Sequence, residues 1–111
     1  MNAVLRITHI DVRPLRRDIS TLGISLENVG AEPVGSGALL VHELLTDGSA
    51  HSCELYIKSL CPGERIELFH AIQGPVKGID LKGFRSLGGA VTPSLSGLLS
   101  WWQSPWSLKA A

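Results

Sequence analysis

The sequence predicts an all-β fold, an antiparallel β-sandwich of about six or seven strands. Apolar and polar residues alternate in short segments between Val4 and Phe84, and turn-forming residues separate these segments about every eight to twelve residues, as in sandwiches. Helical periodicity is absent before Ser94. A chain of 111 residues is long enough for one core and too short for two. We therefore expect a sandwich over residues 1–90, followed by a short tail over residues 91–111.

The first two predicted strands differ in how clearly they alternate. Residues 4–12 carry apolar side chains on both faces at one end, which indicates a strand covered on two sides. We expect Pro14 to end this strand and the charged residues around Arg16 and Arg17 to form a link. In the second strand, Leu22, Ile24 and Leu26 share one face, the pattern of a half-buried antiparallel strand.

The middle of the chain predicts a hairpin and two further strands. Residues 38–45 are almost continuously apolar, which indicates a central strand, and Asp47-Gly48 predicts a type I′ turn. The returning strand is expected from about His51 to Ile57. After Pro62-Gly63 the alternation resumes over residues 65–72, and residues 76–84 form the last predicted strand.

Three turn motifs carry a resemblance to a known family. They are Asn28-Val29-Gly30, Asp47-Gly48 and Leu60-Cys61-Pro62-Gly63-Glu64. Over residues 4–85 the chain resembles the CARDB-type immunoglobulin-like domain, and it departs from that family after Gly83. The resemblance implies an immunoglobulin-like sandwich with a binding or scaffolding role, as in exported adhesion or spacer modules, and it implies no particular reaction.

Charge and cysteine content limit the function classes. Ten basic and ten acidic side chains give a net charge of zero, which indicates no specific nucleic-acid partner; Arg13, Arg16 and Arg17 form only a weak basic patch. Cys53 and Cys61 are predicted to be reduced thiols, because eight residues of extended chain span roughly 25 Å. The N-terminus shows no secretory signal, so we expect cytoplasmic synthesis, with a virion as one setting.

Candidate chemistry is sparse. The four histidines are His9, His42, His51 and His70. His42-Glu43 and His70 fall on neighbouring predicted strands, so a cluster is conceivable, but no pair has a metal-binding spacing, and we expect ordinary surface or half-buried side chains. Cys61 lacks the surroundings of a catalytic cysteine. We therefore predict no catalytic residue, no metal site and no cofactor.

The tail carries the predicted binding residues. All three tryptophans lie here, with two leucines beside them: the set is Leu98, Leu99, Trp101, Trp102 and Trp106. The spacing of Leu95, Leu98, Leu99 and Trp102 predicts a short amphipathic helix over residues 94–102, with an extended tail as the alternative. Three indoles within six residues indicate an interface.

Three explanations for these tryptophans remain open: docking on a protein partner or a second copy, packing on the chain's own sandwich, and contact with a membrane, which the prolines disfavour. We favour docking, and with it a non-enzymatic structural or adaptor subunit of a virion, tail or surface assembly. A glycan- or peptide-binding module that stacks its ligand on the indoles is the alternative. An enzyme ranks last.

Overall fold

The computed structural model describes residues 3–87 and 92–103, and this part of the chain consists of β-strands without a helix. It therefore contains no helical segment that could span a membrane. The strands, in chain order, are β1 (Val4–Arg16), β2 (Ile19–Asn28), β3 (Gly37–Leu45), β4 (Ala50–Ile57), β5 (Arg65–Gln73), β6 (Val76–Ser86), β7 (Ser94–Gly97) and β8 (Ser100–Trp102).

The eight strands form two four-stranded sheets. Sheet 1 has the order β5-β2-β1-β7, and sheet 2 has the order β4-β3-β6-β8. Neighbouring strands are antiparallel, except that β1 and β7 run parallel. One hydrophobic cluster draws on the inward-facing residues of both sheets. The coarse prediction of a sandwich-like all-β fold is thus confirmed.

The buried face of each strand follows the alternation in the sequence. Leu22, Ile24 and Leu26 of β2 are at most 1% exposed, as predicted, and the residues between them face outward. From sheet 2, Leu39 and Val41 of β3 face them across the core. Because both sheets contribute an apolar face, burial of these faces is the main term that holds the sheets together.

The first strand extends beyond its predicted end. β1 continues through Pro14 to Arg16, and Pro14 pairs with Ser20 of β2. The prediction that Pro14 ends the strand is wrong because β7 covers the other side of β1 only from Val4 to Ile7. At Pro14 that side of the strand has no neighbour among the described residues, so no ladder hydrogen bond is lost there.

The Asp47-Gly48 hairpin is confirmed, but its turn type is not I′. The Gly48 amide donates to Leu45 O over 3.0 Å, and only Gly48 of the loop has a positive φ, of 90°. A type I′ turn would need a positive φ at Asp47 as well. Asp47 instead accepts hydrogen bonds from the backbone and hydroxyl of Ser49, which lowers the pKa of its carboxyl.

The predicted helix over residues 94–102 is wrong. This segment forms β7 in sheet 1, turns at Gly97, where φ is 83°, and forms β8 in sheet 2. Serines and a glycine give it weak helix propensity, and both sheets offer it an open edge. The residues expected on one helical face therefore separate: Leu95 packs against the core, whereas Leu98 and Leu99 are exposed.

Candidate functional site

The predicted binding residues occupy different environments. Trp101 packs against the core, whereas Trp102 is 54% exposed. Leu98 and Leu99, in the link between β7 and β8, are 49% and 40% exposed. Trp106 lies outside the described residues. The three exposed side chains thus fall within five consecutive positions, which we call the tail edge (residues 98–102).

Backbone hydrogen bonds attach the tail edge to both sheets. The Leu98 amide donates to Ile7 O of sheet 1 over 3.0 Å, and Leu99 O accepts from the Leu81 amide of sheet 2 over 2.8 Å. The Trp102 ring covers Gly78, where an added Cβ would lie 2.5 Å from two ring carbons. The exposed apolar groups are therefore held by an ordered backbone and not by a loose end.

A groove crosses the outer face of sheet 1. Its floor is β2, whose outward residues there are small, and the larger side chains of β1 and β5 form its walls. Two cross-strand rows line it, His9-Ser25-Glu67 and Asp11-Gly23-Phe69, and the pair Arg13-Thr21 lies beside them. Its volume is about 530 Å³, within the range of ligand sites. Phe69, in the wall, is 71% exposed.

A polar cluster lies between the two sheets where β4 and β5 form their edges. Glu43 faces inward on β3 and is only 4% exposed. Its Oε2 lies 3.4 Å from Cys53 Sγ of β4 and 3.4 Å from His70 Nε2 of β5. One candidate ligand atom from each residue lies within 4.8 Å of the other two. We call Glu43, Cys53 and His70 the inter-sheet cluster.

The surroundings of Cys53 alter its acidity. Partial burial, and after it the negative charge and hydrogen bond of Glu43, raise the pKa of the Cys53 thiol to about 12. The thiolate is the nucleophilic form, so a thiol with this pKa is a poor nucleophile near neutral pH. Cys53 and Cys61 are both free, as predicted, and Cys61 is exposed on the loop before β5.

Sequence reasoning found two members of the cluster and missed the third. His70 and Glu43 were expected on neighbouring strands, whereas β3 and β5 belong to different sheets and meet across the core. His42 points to the opposite side of β3 from Glu43 and is not in the cluster. Cys53 could have been found from its place in the inward register of β4, together with Leu55 and Ile57.

No family model and no curated protein matches this chain. Its function is therefore inferred from the chemistry and geometry of its own residues.

Proposed function

We propose that this chain is a non-enzymatic adaptor or structural subunit that docks on a protein partner through the tail edge. The observation that carries the proposal is the exposure of Leu98, Leu99 and Trp102 on a backbone hydrogen-bonded to both sheets. Scattered surface leucines are ordinary, but three large apolar side chains in five positions form a patch. Tryptophan is also among the side chains that most often dominate binding energy at interfaces.

The apolar surface of the tail edge is large enough to contribute substantially to binding a protein partner. Burying the exposed halves of two leucines and one tryptophan contributes about 4 kcal/mol, which corresponds to several hundredfold in Kd. The tail edge also contains β8 and adjoins β7, the outer strands of the two sheets, and outer strands can accept a further strand from a partner.

Substitutions test this better than a deletion, because residues 94–102 supply a strand to each sheet. The triple variant Leu98→Ser/Leu99→Ser/Trp102→Ser is compared with Leu15→Ser/Tyr56→Ser, whose residues are 64% and 62% exposed elsewhere. Light scattering and quantitative mass spectrometry of proteins co-purified from the native source measure assembly. We expect the triple variant alone to lose the assembly. Because the Trp102 ring covers Gly78, its melting temperature should fall, and circular dichroism at the assay temperature checks that it remains folded. A triple variant that still assembles would refute the proposal.

We also propose that the sandwich is immunoglobulin-like and of the CARDB type. The strand order supports this proposal: β2 pairs with β5 in one sheet, and β3 pairs with β6 in the other. In immunoglobulin-like domains the second and fifth strands, and the third and sixth, are related in the same way. Such domains serve as binding and spacer modules, in keeping with an adaptor role.

A glycan- or peptide-binding module is the second candidate, and the groove on sheet 1 favours it. The groove combines an exposed aromatic ring, Phe69, with charged walls and a floor without large side chains. Gly23→Val should fill the floor, where an added Cβ would already be in van der Waals contact with the Phe69 ring at 3.5 Å.

The test of this candidate is NMR titration of the protein with a panel of glycans and peptides. In the parent protein we expect ligand-induced shifts at Gly23 and Phe69. Gly23→Val should abolish the shift at Phe69, while Gly83→Val, in the other sheet, should leave both shifts unchanged. Shifts confined to the tail edge, or none across the panel, would count against the groove.

A further inference from the structure

The inter-sheet cluster combines three kinds of metal ligand, a carboxylate, a thiol and an imidazole, between the two sheets. The inward face of β3 is otherwise apolar, and a carboxylate at Glu43 loses most of its hydration there. A thiol is only a weak hydrogen-bond donor to that carboxylate. We propose that Glu43, Cys53 and His70 bind one Zn²⁺ ion that joins sheet 1 to sheet 2.

The spacing of the ligand atoms suits a tetrahedral site. With Zn–S near 2.3 Å and Zn–N and Zn–O near 2.0 to 2.1 Å, tetrahedral angles set the ligand atoms about 3.3 to 3.6 Å apart. Glu43 Oε2 lies 3.4 Å from both Cys53 Sγ and His70 Nε2. The third separation, between Cys53 Sγ and His70 Nε2, is at most 4.8 Å. One ion can therefore contact the three atoms after side-chain adjustments that bring this last pair to a tetrahedral spacing.

The donor set selects the metal. A thiolate and an imidazole are soft or borderline ligands, which favour zinc over magnesium or calcium, since the last two require oxygen. Within the described residues the group has three members, so water would complete the coordination. The alternative to a bound metal ion is an ion pair between the Glu43 carboxylate and the His70 imidazole. In that arrangement the Cys53 thiol is not a ligand.

The position of the site gives the ion a structural role. Glu43 and Cys53 belong to sheet 2 and His70 to sheet 1, so zinc would connect the two sheets near their β4 and β5 edges. Because the unfolded chain does not hold the three ligands together, binding would stabilise the folded state.

The test is titration of the untagged, reduced protein with Co²⁺, followed by displacement with Zn²⁺. We expect one cobalt ion per chain and a thiolate-to-cobalt charge-transfer band in the near ultraviolet, which zinc removes. At free zinc 100-fold above Kd, the melting temperature should rise by on the order of 10 °C, and magnesium should leave it unchanged. Absence of the band, or a melting temperature insensitive to zinc, would overturn the proposal.

Variants locate the site. Cys53→Ser should abolish the charge-transfer band, and His70→Ala should weaken zinc binding at least tenfold, whereas Cys61→Ser, which removes the exposed cysteine, should bind as the parent does. A band that survives Cys53→Ser, or that Cys61→Ser removes, would place the metal elsewhere and overturn the assignment. The titration of the parent protein decides the question even if a variant fails to fold.

Discussion

Asn28, at the end of β2, is completely buried and uses its side chain to join two loops. Its Nδ2 donates to Glu32 O over 2.9 Å and to Leu60 O over 3.0 Å, and its Oδ1 accepts from the Gly30 amide over 3.0 Å. The Gly63 amide also donates to Asn28 O over 2.7 Å. The side chain therefore joins the loop after β2 to the turn before β5, beside the backbone bridge between Val34 and Leu60.

Replacing Asn28 with alanine removes all three side-chain hydrogen bonds. At roughly 1 kcal/mol net for each bond, we expect a loss of about 3 kcal/mol in the free energy of unfolding. Leu60 O keeps the hydrogen bond from the Val34 amide. With a urea m-value of about 1.5 to 2 kcal/mol/M, the midpoint should fall by about 1.5 to 2 M.

Equilibrium urea unfolding, followed by far-ultraviolet circular dichroism, measures this loss. The matched control is Val29→Ala, because Val29 is the next residue and is 47% exposed; its effect should stay below about 0.5 kcal/mol. If Asn28→Ala unfolds within about 0.3 M of the parent protein at an unchanged m-value, the hydrogen bonds do not hold the loops and the reasoning is wrong.

Asn28→Asp adds a test of charge at the same position. A carboxylate can accept from the Gly30 amide but cannot donate to the two carbonyl oxygens, and burial raises its pKa above the unfolded value of about 3.9. The variant should therefore be most stable, relative to the parent, below pH 4 and lose stability as the pH rises through the folded pKa. A stability difference that does not change with pH would contradict this prediction.

Two further predictions concern backbone conformation and thiol chemistry. Gly97→Ala should lower the free energy of unfolding by about 2 kcal/mol or more, because φ is 83° and the new Cβ would meet Ile7 O. The control, Gly83→Ala, has neither constraint and should be neutral. Equal melting temperatures for the two variants would refute this prediction. Cys53 should react with iodoacetamide at pH 8 on the order of a thousandfold more slowly in the folded chain than in urea, because its folded pKa is about 12. The neutral Cys53 thiol also contributes stability below its unfolded pKa, and that contribution is lost as pH rises towards 12; a folded alkylation rate within tenfold of the unfolded rate would contradict the shifted pKa.

The strands of the core were predictable because their signal is local. On β2, every second residue is apolar, and the structure buries those residues. The extent of β1 was not predictable in the same way. A proline ends a strand only where its missing amide would have paired, and the sequence around Pro14 does not tell which side of the strand has a neighbour.

The tail and the inter-sheet cluster show where local patterns fail. Leucines and a tryptophan at helical spacing between Leu95 and Trp102 also fit two short strands, and the open edges of both sheets decide between these structures. Glu43, Cys53 and His70 come from three strands and two sheets, so no spacing in the sequence reveals their proximity. Only the inward register of each strand, combined with the strand order, brings them together.

The parallel pairing of β1 with β7 has a consequence for how the chain folds. Val4 lies beside Ser94, so the first strand gains its second neighbour only after nearly the whole described chain has been synthesised. Contacts this distant in sequence slow folding, because a long loop must close before they form. Until then, β1 and β6 each present an unpaired edge, to which another nascent chain can add a strand. Residues 94–102 therefore cover both edges only late in synthesis, and a chain truncated before them would be prone to aggregation.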